Sequence, residues 1–422
     1  MQTVYGHGPK SLTLIPPRAP LAGRVALPGS KSITNRALLV AGLAGGTSRL
    51  SGALKSVDTA LMAEALAQMG VGIEEPDQTR FVVTGTGGLA APPAPLFLGN
   101  AGTATRFLTA AAAIASGTVV VDGDSHMRKR PIRPLVEALT ALGVDIVCET
   151  GCPPVTINAV GRIKGGRVDI DGALSSQYVS ALLMVAPLAA GAVEVSLIGK
   201  SIGARGYIDL TLAVMRAFGA TVEQTGATGW RIAPTGYRAS DFAIEPDASA
   251  ATYLWAAAAL TGGAIDLGLA PGAFTQPDAR AHEVIAAFPA MPPVIDGSQM
   301  QDAVPTLAVL AAFGRAKVRF IGIANLRVKE CDRIAALAMG LNAIAPGLGR
   351  EDGDDLVVTP GAARGGKARA ARIEVFDDHR IAMSFALAGL KLDGITILNP
   401  DCTAKTFPDY WKTLAALGVA FA

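Results

Sequence analysis

Charged residues are scarce in this sequence, 17% of 422 positions, and they nearly cancel, with 37 Lys and Arg against 35 Asp and Glu. That balance supplies no basic face for nucleic acid or for an anionic membrane, so neither partner is expected. Any affinity for anions must come from local clustering. Histidine (His7, His126, His282, His379) and cysteine (Cys148, Cys152, Cys331, Cys402) are rarer still. No C-x-x-C pair occurs and no histidine stands at ligand spacing from a cysteine, so neither a zinc site nor a disulfide framework is expected. Long apolar runs are missing too. Stretches such as 108–116 are too short for a bilayer and are interrupted by polar or small residues. Residues 1–10 carry no basic segment followed by an apolar run, so no signal peptide is expected and the chain should be soluble and cytoplasmic.

What is abundant is apolar residue, 50% of the chain, in a length that calls for two or more domains. One stretch organises the rest: Leu27-Pro-Gly-Ser-Lys-Ser-Ile-Thr-Asn-Arg36, running into Ala37-Leu-Leu-Val-Ala-Gly-Leu-Ala44. Pro28 and Gly29 allow a sharp entry turn, and Ser30 or Ser32 can cap the helix that follows. Lys31 and Arg36 then stand near a helix N-terminus, where free N–H groups and the dipole already favour an anion. The ordinary alternative is a capped surface helix with solvated cations. Repetition argues against it. Polar starts followed by small and apolar residues recur at Asn100–Ile114, Ser175–Met184, Asp247–Trp255, Asp302–Leu310 and Asp377–Ala386.

A second kind of segment alternates with these. It is amphipathic and ends in a glycine placed as a C′ cap before a β-branched run, at Gly70, Gly143 and Gly219, an interval of roughly 70 residues. Three such α/β units fill residues 29–244, and three less regular ones fill 245–422. Residues 12–27 begin with a strand-like Leu-Thr-Leu-Ile and are expected to join the second domain, making it discontinuous (1–28 plus 245–422). Two crossings, near 27–29 and 244–247, would then form a hinge. If equivalent helices point the same way, their N-termini would converge on a cleft between the domains.

The polar residues at these starts suit more than capping: Lys31, Ser32 and Arg36; Asn100, Thr103 and Arg106; Ser175, Ser176 and Gln177. Arg130, Arg380 beside His379, and Lys405 add cations. In Asn325-Leu-Arg-Val-Lys-Glu-Cys-Asp-Arg333, Glu330 lies among Lys329 and Arg333, and Asp302 opens the preceding buried segment. A carboxylate among cations stays ionised and can take a proton from a hydroxyl, although a surface ion pair is the ordinary account of Glu330.

Five segments, 27–36, 98–106, 325–333, 378–380 and 402–410, closely resemble the signatures of the 5-enolpyruvylshikimate-3-phosphate synthase family, in order over almost the whole chain. The resemblance implies an α/β, two-domain enolpyruvyl transferase fold, each domain three copies of a β-α-β-α-β-β unit around buried helices and the two closing around substrate. It implies transfer of the enolpyruvyl group of phosphoenolpyruvate to the 5-hydroxyl of shikimate 3-phosphate through a tetrahedral intermediate, by a monomer, with neither metal nor organic cofactor. By resemblance, Lys31, Ser32, Arg36, Ser175, Ser176, Gln177, Tyr207, Asp302, Asn325 and Lys329 would hold shikimate 3-phosphate. Lys31, Asn100, Gly102, Thr103, Arg130, Gln177, Arg333, Arg380 and Lys405 would hold phosphoenolpyruvate. Asp302 would be the base on the 5-hydroxyl, and Glu330, supported by Lys31, would carry the proton to and from C3.

Two positions depart from the family pattern. Ala204 stands where a phosphate-binding Ser is expected, with Ser201 nearby to compensate, and Phe107 stands where relatives often carry Pro, which could shift the phosphoenolpyruvate pocket. Gly102 matches the form expected to be inhibited by glyphosate. The competing assignments are the sister enolpyruvyl transferase acting on UDP-N-acetylglucosamine, which resembles a Lys-Asn pair at Lys31-Ser32 and carries a loop Cys that 100–146 lacks, and a non-catalytic phosphate-ester-binding protein.

Overall fold

The computed structural model describes residues 10–172, 175–199, 204–360 and 369–422; Ser201 lies outside them. Among the described residues are twelve α-helices: α1 (Lys31–Leu43), α2 (Val57–Gln68), α3 (Gly102–Ala112), α4 (Arg133–Ala141), α5 (Ser176–Val185), α6 (Gly206–Ala217), α7 (Ala248–Thr261), α8 (Ala281–Ala286), α9 (Val304–Ala311), α10 (Arg333–Ile344), α11 (His379–Gly389) and α12 (Tyr410–Ala416). The odd-numbered helices are the central ones. Every residue of α3, α9 and α11 is buried, because beyond their first turns these helices carry small and apolar residues on nearly all sides. In α3, two hydroxyls bond back along the helix, Thr105 Oγ1 to the Ala101 carbonyl (3.0 Å) and Thr109 Oγ1 to that of Thr105 (2.8 Å), so burial leaves these two satisfied. Each fully buried leucine, such as Leu307 and Leu310 of α9, contributes roughly 1.5–3 kcal/mol.

The even-numbered helices cover the central ones along one face; in α4 the buried positions are Leu135, Ala138 and Leu139, an i, i+3, i+4 stripe. Gly70, Gly143 and Gly219 follow α2, α4 and α6 with φ of 93°, 82° and 87°, the left-handed turn that ends a helix and is cheap only for glycine.

Each pair of helices belongs to one sheet. Around α5 and α6, Gly166–Asp171 lies parallel to Val193–Ile198, which pairs antiparallel with Gly229–Ile232 and through it with Val222–Gln224. In chain order this is strand, α5, strand, α6, strand, strand. Three other sheets repeat the layout of one parallel and two antiparallel pairs, and a fourth adds a second short parallel pair; two of the four borrow a strand from far away. Phe242–Ala243 runs parallel to Gly45–Ser51, completing the first copy. Ser11–Ile15 inserts between Ile395–Leu398 and Ala420–Phe421, completing the last. The copy around α7 is truncated to a parallel pair, Ala22–Arg24 with Ala264–Asp266, which accounts for the weaker periodicity of the second half.

The chain forms two compact units, Gly29–Pro246 and a discontinuous one of Met1–Pro28 with Asp247–Ala422. Each has its own core of buried aliphatic side chains. At the ends where the chain passes from one to the other, Asp247 N donates to the Pro28 carbonyl (2.9 Å) and Ser30 N to that of Glu245 (3.0 Å). Gly29 is required here: a Cβ on it would lie 1.9 Å from the Gly52 carbonyl oxygen. Among the described residues, no helix is long and apolar enough to cross a membrane.

Candidate active site

In the Gly29–Pro246 unit, Ser30 caps α1, its Oγ accepting from Ile33 N at 3.5 Å. Lys31, the first residue of the helix, reaches Asp58 in the first turn of α2, Nζ to Oδ2 3.3 Å, with both groups buried. Arg36 is almost completely enclosed. Its Nε donates to Thr211 Oγ1 (2.7 Å), Nη1 to the Ser32 carbonyl (2.8 Å), and Nη2 to Ser180 Oγ (3.3 Å) and the Tyr207 carbonyl (3.2 Å). Its guanidinium also stands over the rings of Phe107 (5.1 Å) and Tyr207 (5.8 Å). Burial pushes its pKa down to about 10, against the pull of Tyr207, and it remains a cation at neutral pH.

The second and third copies of this unit meet at the starts of α3 and α5. Asn100 Oδ1 accepts from Arg130 Nη1 (3.0 Å), and Arg106 donates to the carbonyls of Gly102 (2.9 Å) and Pro131 (3.2 Å). Gln177 Nε2 donates to Thr103 Oγ1 at 3.2 Å, tying α5 to α3. Ser175 caps α5 through Gln177 N (3.2 Å), and Ser176 beside it is buried. Asn100 does not cap α3, whose N-cap is Ala101 with no side-chain bond, because Arg130 holds its amide instead.

In the discontinuous unit, the ionisable groups expected from the sequence form one network. Asp302 Oδ1 accepts from Arg333 Nη1 (3.0 Å) and lies 3.8 Å from Lys329 Nζ, while its Oδ2 accepts from Arg380 Nη2 (2.8 Å). Glu330 Oε2 accepts from Arg333 Nη2 (2.8 Å), and its Oε1 lies 3.8 Å from Lys405 Nζ. Arg333 therefore stands between the two carboxylates, and a third, Asp378, accepts from its Nε at 2.7 Å. Four cations and three carboxylates interleave here, and Asp278 and Asp247 act on Arg380 as well. Burial works to raise the Asp302 pKa, but Arg380, Lys329 and Arg333 together outweigh it and hold the carboxyl far below the usual carboxylate range. Tyr253, whose oxygen accepts from Arg380 Nη1 at 3.4 Å, is pushed up to about 12 by burial and is a neutral phenol. Asp302 does not cap α9; the helix starts at Val304, and the carboxylate is drawn to the arginines instead. Asn325 donates its amide to Gln301.

The segments that carry both clusters, cation-bearing helix starts in one unit and interleaved arginines and carboxylates in the other, fall within the span of a protein-family model. The model described as "EPSP synthase (3-phosphoshikimate 1-carboxyvinyltransferase)" matches residues 15–288 and 272–414. The chain belongs to the EPSP synthase family. A 3-phosphoshikimate 1-carboxyvinyltransferase of Rhizobium leguminosarum bv. trifolii is 69% identical over 97% of this chain and 98% of its own length. One of Pseudomonas syringae pv. syringae is 66% identical, with coverage of 97% and 98%. Among solved structures, an EPSP synthase from Acinetobacter baumannii superposes with a TM-score of 0.79 at 27% identity, over 98% of this chain and 100% of that one.

Within this family member, Phe107 packs beneath Arg36, so this departure touches that guanidinium directly. Ala204 adopts a left-handed φ of 53°, and its carbonyl accepts from Tyr207 N (3.0 Å) at the start of α6. Asp58, Tyr253 and Gln301 belong to none of the five signature segments of the sequence, and Asp378 stands there only as part of one. A single Asp in the first turn of an amphipathic helix, as at Asp58, carries no local mark of a lysine partner 27 residues away. Asp378 did carry a signal, since it precedes His379 and Arg380 at a helix start.

Proposed function

We propose a division of labour among these residues during the reaction of the family. The enzyme transfers the enolpyruvyl group of phosphoenolpyruvate to the 5-hydroxyl of shikimate 3-phosphate and releases inorganic phosphate. Both substrates are multiply anionic, and the starts of α1, α3 and α5 together with the cations of the other unit supply the complementary charge. Ser32, Arg36, Ser175, Ser176, Gln177, Tyr207, Asn325 and Lys329 hold shikimate 3-phosphate. Lys31, Asn100, Gly102, Thr103, Gln177, Arg130, Arg333, Arg380 and Lys405 hold phosphoenolpyruvate and stabilise the phosphate as it leaves.

Asp302 takes the proton of the 5-hydroxyl as oxygen attacks C2. Glu330, supported by Lys31, delivers a proton to C3 and removes one when phosphate departs. The observation that carries this assignment is the placing of Arg333 between Asp302 and Glu330, at 3.0 and 2.8 Å. One guanidinium thereby bonds two separate carboxylates beside the groups that would bind phosphoenolpyruvate, leaving one to accept the proton of the hydroxyl and the other to exchange one with C3. Each hydrogen bond that Arg333 or Arg380 transfers from Asp302 to a substrate anion returns basicity to Asp302. The crossings at Pro28–Gly29 and Pro246–Asp247 serve as the hinge of the cycle. The enzyme acts as a cytoplasmic monomer without metal or organic cofactor and binds neither nucleic acid nor membrane.

Phosphate release from a mixture of both substrates tests the reaction. Substrates that bind without release would refute it. Solvent deuterium appearing at C3 of phosphoenolpyruvate with the wild type and not with Glu330→Gln tests the assignment of the two carboxylates; undiminished exchange would remove Glu330 from that role.

A further inference from the structure

Asp378 is completely enclosed, with no solvent exposure, and it bonds to two of the proposed phosphoenolpyruvate ligands at once. Its Oδ2 accepts from Arg333 Nε at 2.7 Å, and its Oδ1 accepts from Arg333 Nη2 at 3.3 Å, so the carboxylate grips one edge of the guanidinium as a fork. The same Oδ1 accepts from the backbone N of Arg380 at 2.8 Å and caps α11. The plane of one arginine and the helix start that bears the other are therefore referred to a single carboxylate.

The backbone that delivers it is unusual. Phe376 and Asp377 both have left-handed φ, 53° and 55°, which successive non-glycine residues adopt only where the surroundings enforce it. Asn399, at the head of the turn Pro400–Lys405 that carries Lys405, donates its side-chain amide to Asp377. Three chain segments bearing Arg333, Arg380 and Lys405 thus meet at Asp377 and Asp378.

We infer that Asp378 is a positioning residue for phosphoenolpyruvate: its forked bond to Arg333 and its cap on the Arg380 helix set the two guanidiniums so that they engage the same small anion together. The inference rests on the assignment of Arg333 and Arg380 to phosphoenolpyruvate. The competing account is that Asp378 only stabilises the fold, as a cap and a buried ion-pair partner.

Asp378→Asn and Asp378→Ser separate the two, since Asn and Ser both cap helices while neither gives Arg333 an anionic fork. In the full-length enzyme, each variant is expected to fold, to raise KM for phosphoenolpyruvate roughly 10- to 100-fold, and to leave KM for shikimate 3-phosphate within about twofold. The effect should shrink to about twofold or less when Asp378→Asn is made in an Arg333→Lys background, because the residue acts through that arginine. A folded Asp378→Asn or Asp378→Ser enzyme with unchanged KM for phosphoenolpyruvate would overturn the inference. So would equal losses for both substrates. If neither variant folds while Asp378→Glu folds with unchanged KM, the role is structural and the inference fails. Arg333→Lys alone distinguishes the levels: unchanged KM there would remove the phosphoenolpyruvate assignment itself and the inference with it, whereas a raised KM with silent Asp378 variants overturns the inference only.

Discussion

Replacing Gly102 by alanine asks whether the start of α3 holds phosphoenolpyruvate. A Cβ on Gly102 would lie 2.6 Å from Arg106 Nη1, 2.7 Å from Arg130 Nη2 and 2.8 Å from Arg130 Cζ. Comfortable contact begins at about 3.5 Å, so the guanidiniums must retreat by roughly an ångström. Neither has much room. Arg106 is pinned to the Gly102 and Pro131 carbonyls, Arg130 to Asn100, and both are buried. The backbone itself accepts alanine, since Gly102 is not among the positive-φ residues and opens a helix, where alanine is intrinsically better than glycine by up to about 1 kcal/mol. Fold stability is therefore expected to hold while substrate binding suffers. Displacing Arg130 from one charge-assisted hydrogen bond costs about 1.5–3 kcal/mol, or roughly 10- to 150-fold in kcat/KM for phosphoenolpyruvate. Initial rates of phosphate release at saturating shikimate 3-phosphate, with thermal unfolding alongside, give both quantities. A folded Gly102→Ala enzyme whose KM for phosphoenolpyruvate stays within twofold of wild type would refute the placing of that substrate at this helix start.

Glyphosate is expected to inhibit the Gly102 enzyme in competition with phosphoenolpyruvate and to inhibit Gly102→Ala less; non-competitive inhibition would contradict a shared site. Asp302→Asn should lower kcat by roughly 10²- to 10⁴-fold, the usual reach of a general base, and single-turnover kinetics would show the loss in the chemical step. A near-normal kcat would assign the base elsewhere. Because the Asp302 pKa is depressed in the folded protein, its contribution to stability is complete above about pH 5 and is lost as pH falls below roughly 4 toward its folded value. Unfolding midpoints measured across that range should fall for wild type and fall less steeply for Asp302→Asn; parallel curves would show that Asp302 does not carry the effect. Asp58→Asn, which weakens the partner of buried Lys31, should destabilise the enzyme by about 1–3 kcal/mol in urea unfolding and lower turnover as well. Unchanged stability would mean that Lys31 does not depend on Asp58.

Much of the architecture was legible in the residues themselves. Helix starts at Ser30, Ser175, Asp247 and Asp378 are local events, a side-chain oxygen meeting a backbone N–H two or three residues on, and such a pattern can be read without knowing the rest of the fold. The same holds for the glycines that end α2, α4 and α6 and for the helices whose every face is apolar. Asn100 and Asp302 look like the same signal and are not. Each is turned from its helix by an arginine, Arg130 or Arg380, that lies 30 or 78 residues away.

Short-range chemistry therefore determined the repeated unit, the cation-bearing helix starts and the family resemblance of the five signature segments. Tertiary structure decided which distant carboxylate each buried cation meets. It placed Lys31 on Asp58, Arg36 against Thr211 and Phe107, and Arg333 on Asp302 and Asp378 in addition to Glu330, its neighbour three residues back. It also decided that Ser11–Ile15 completes the sheet of Ile395–Leu398, a pairing across almost the whole chain. Local backbone preference sets where a helix begins. A salt bridge or a strand pair between distant segments forms only when packing of the repeats brings them within a few ångströms, and no short window of sequence contains that distance.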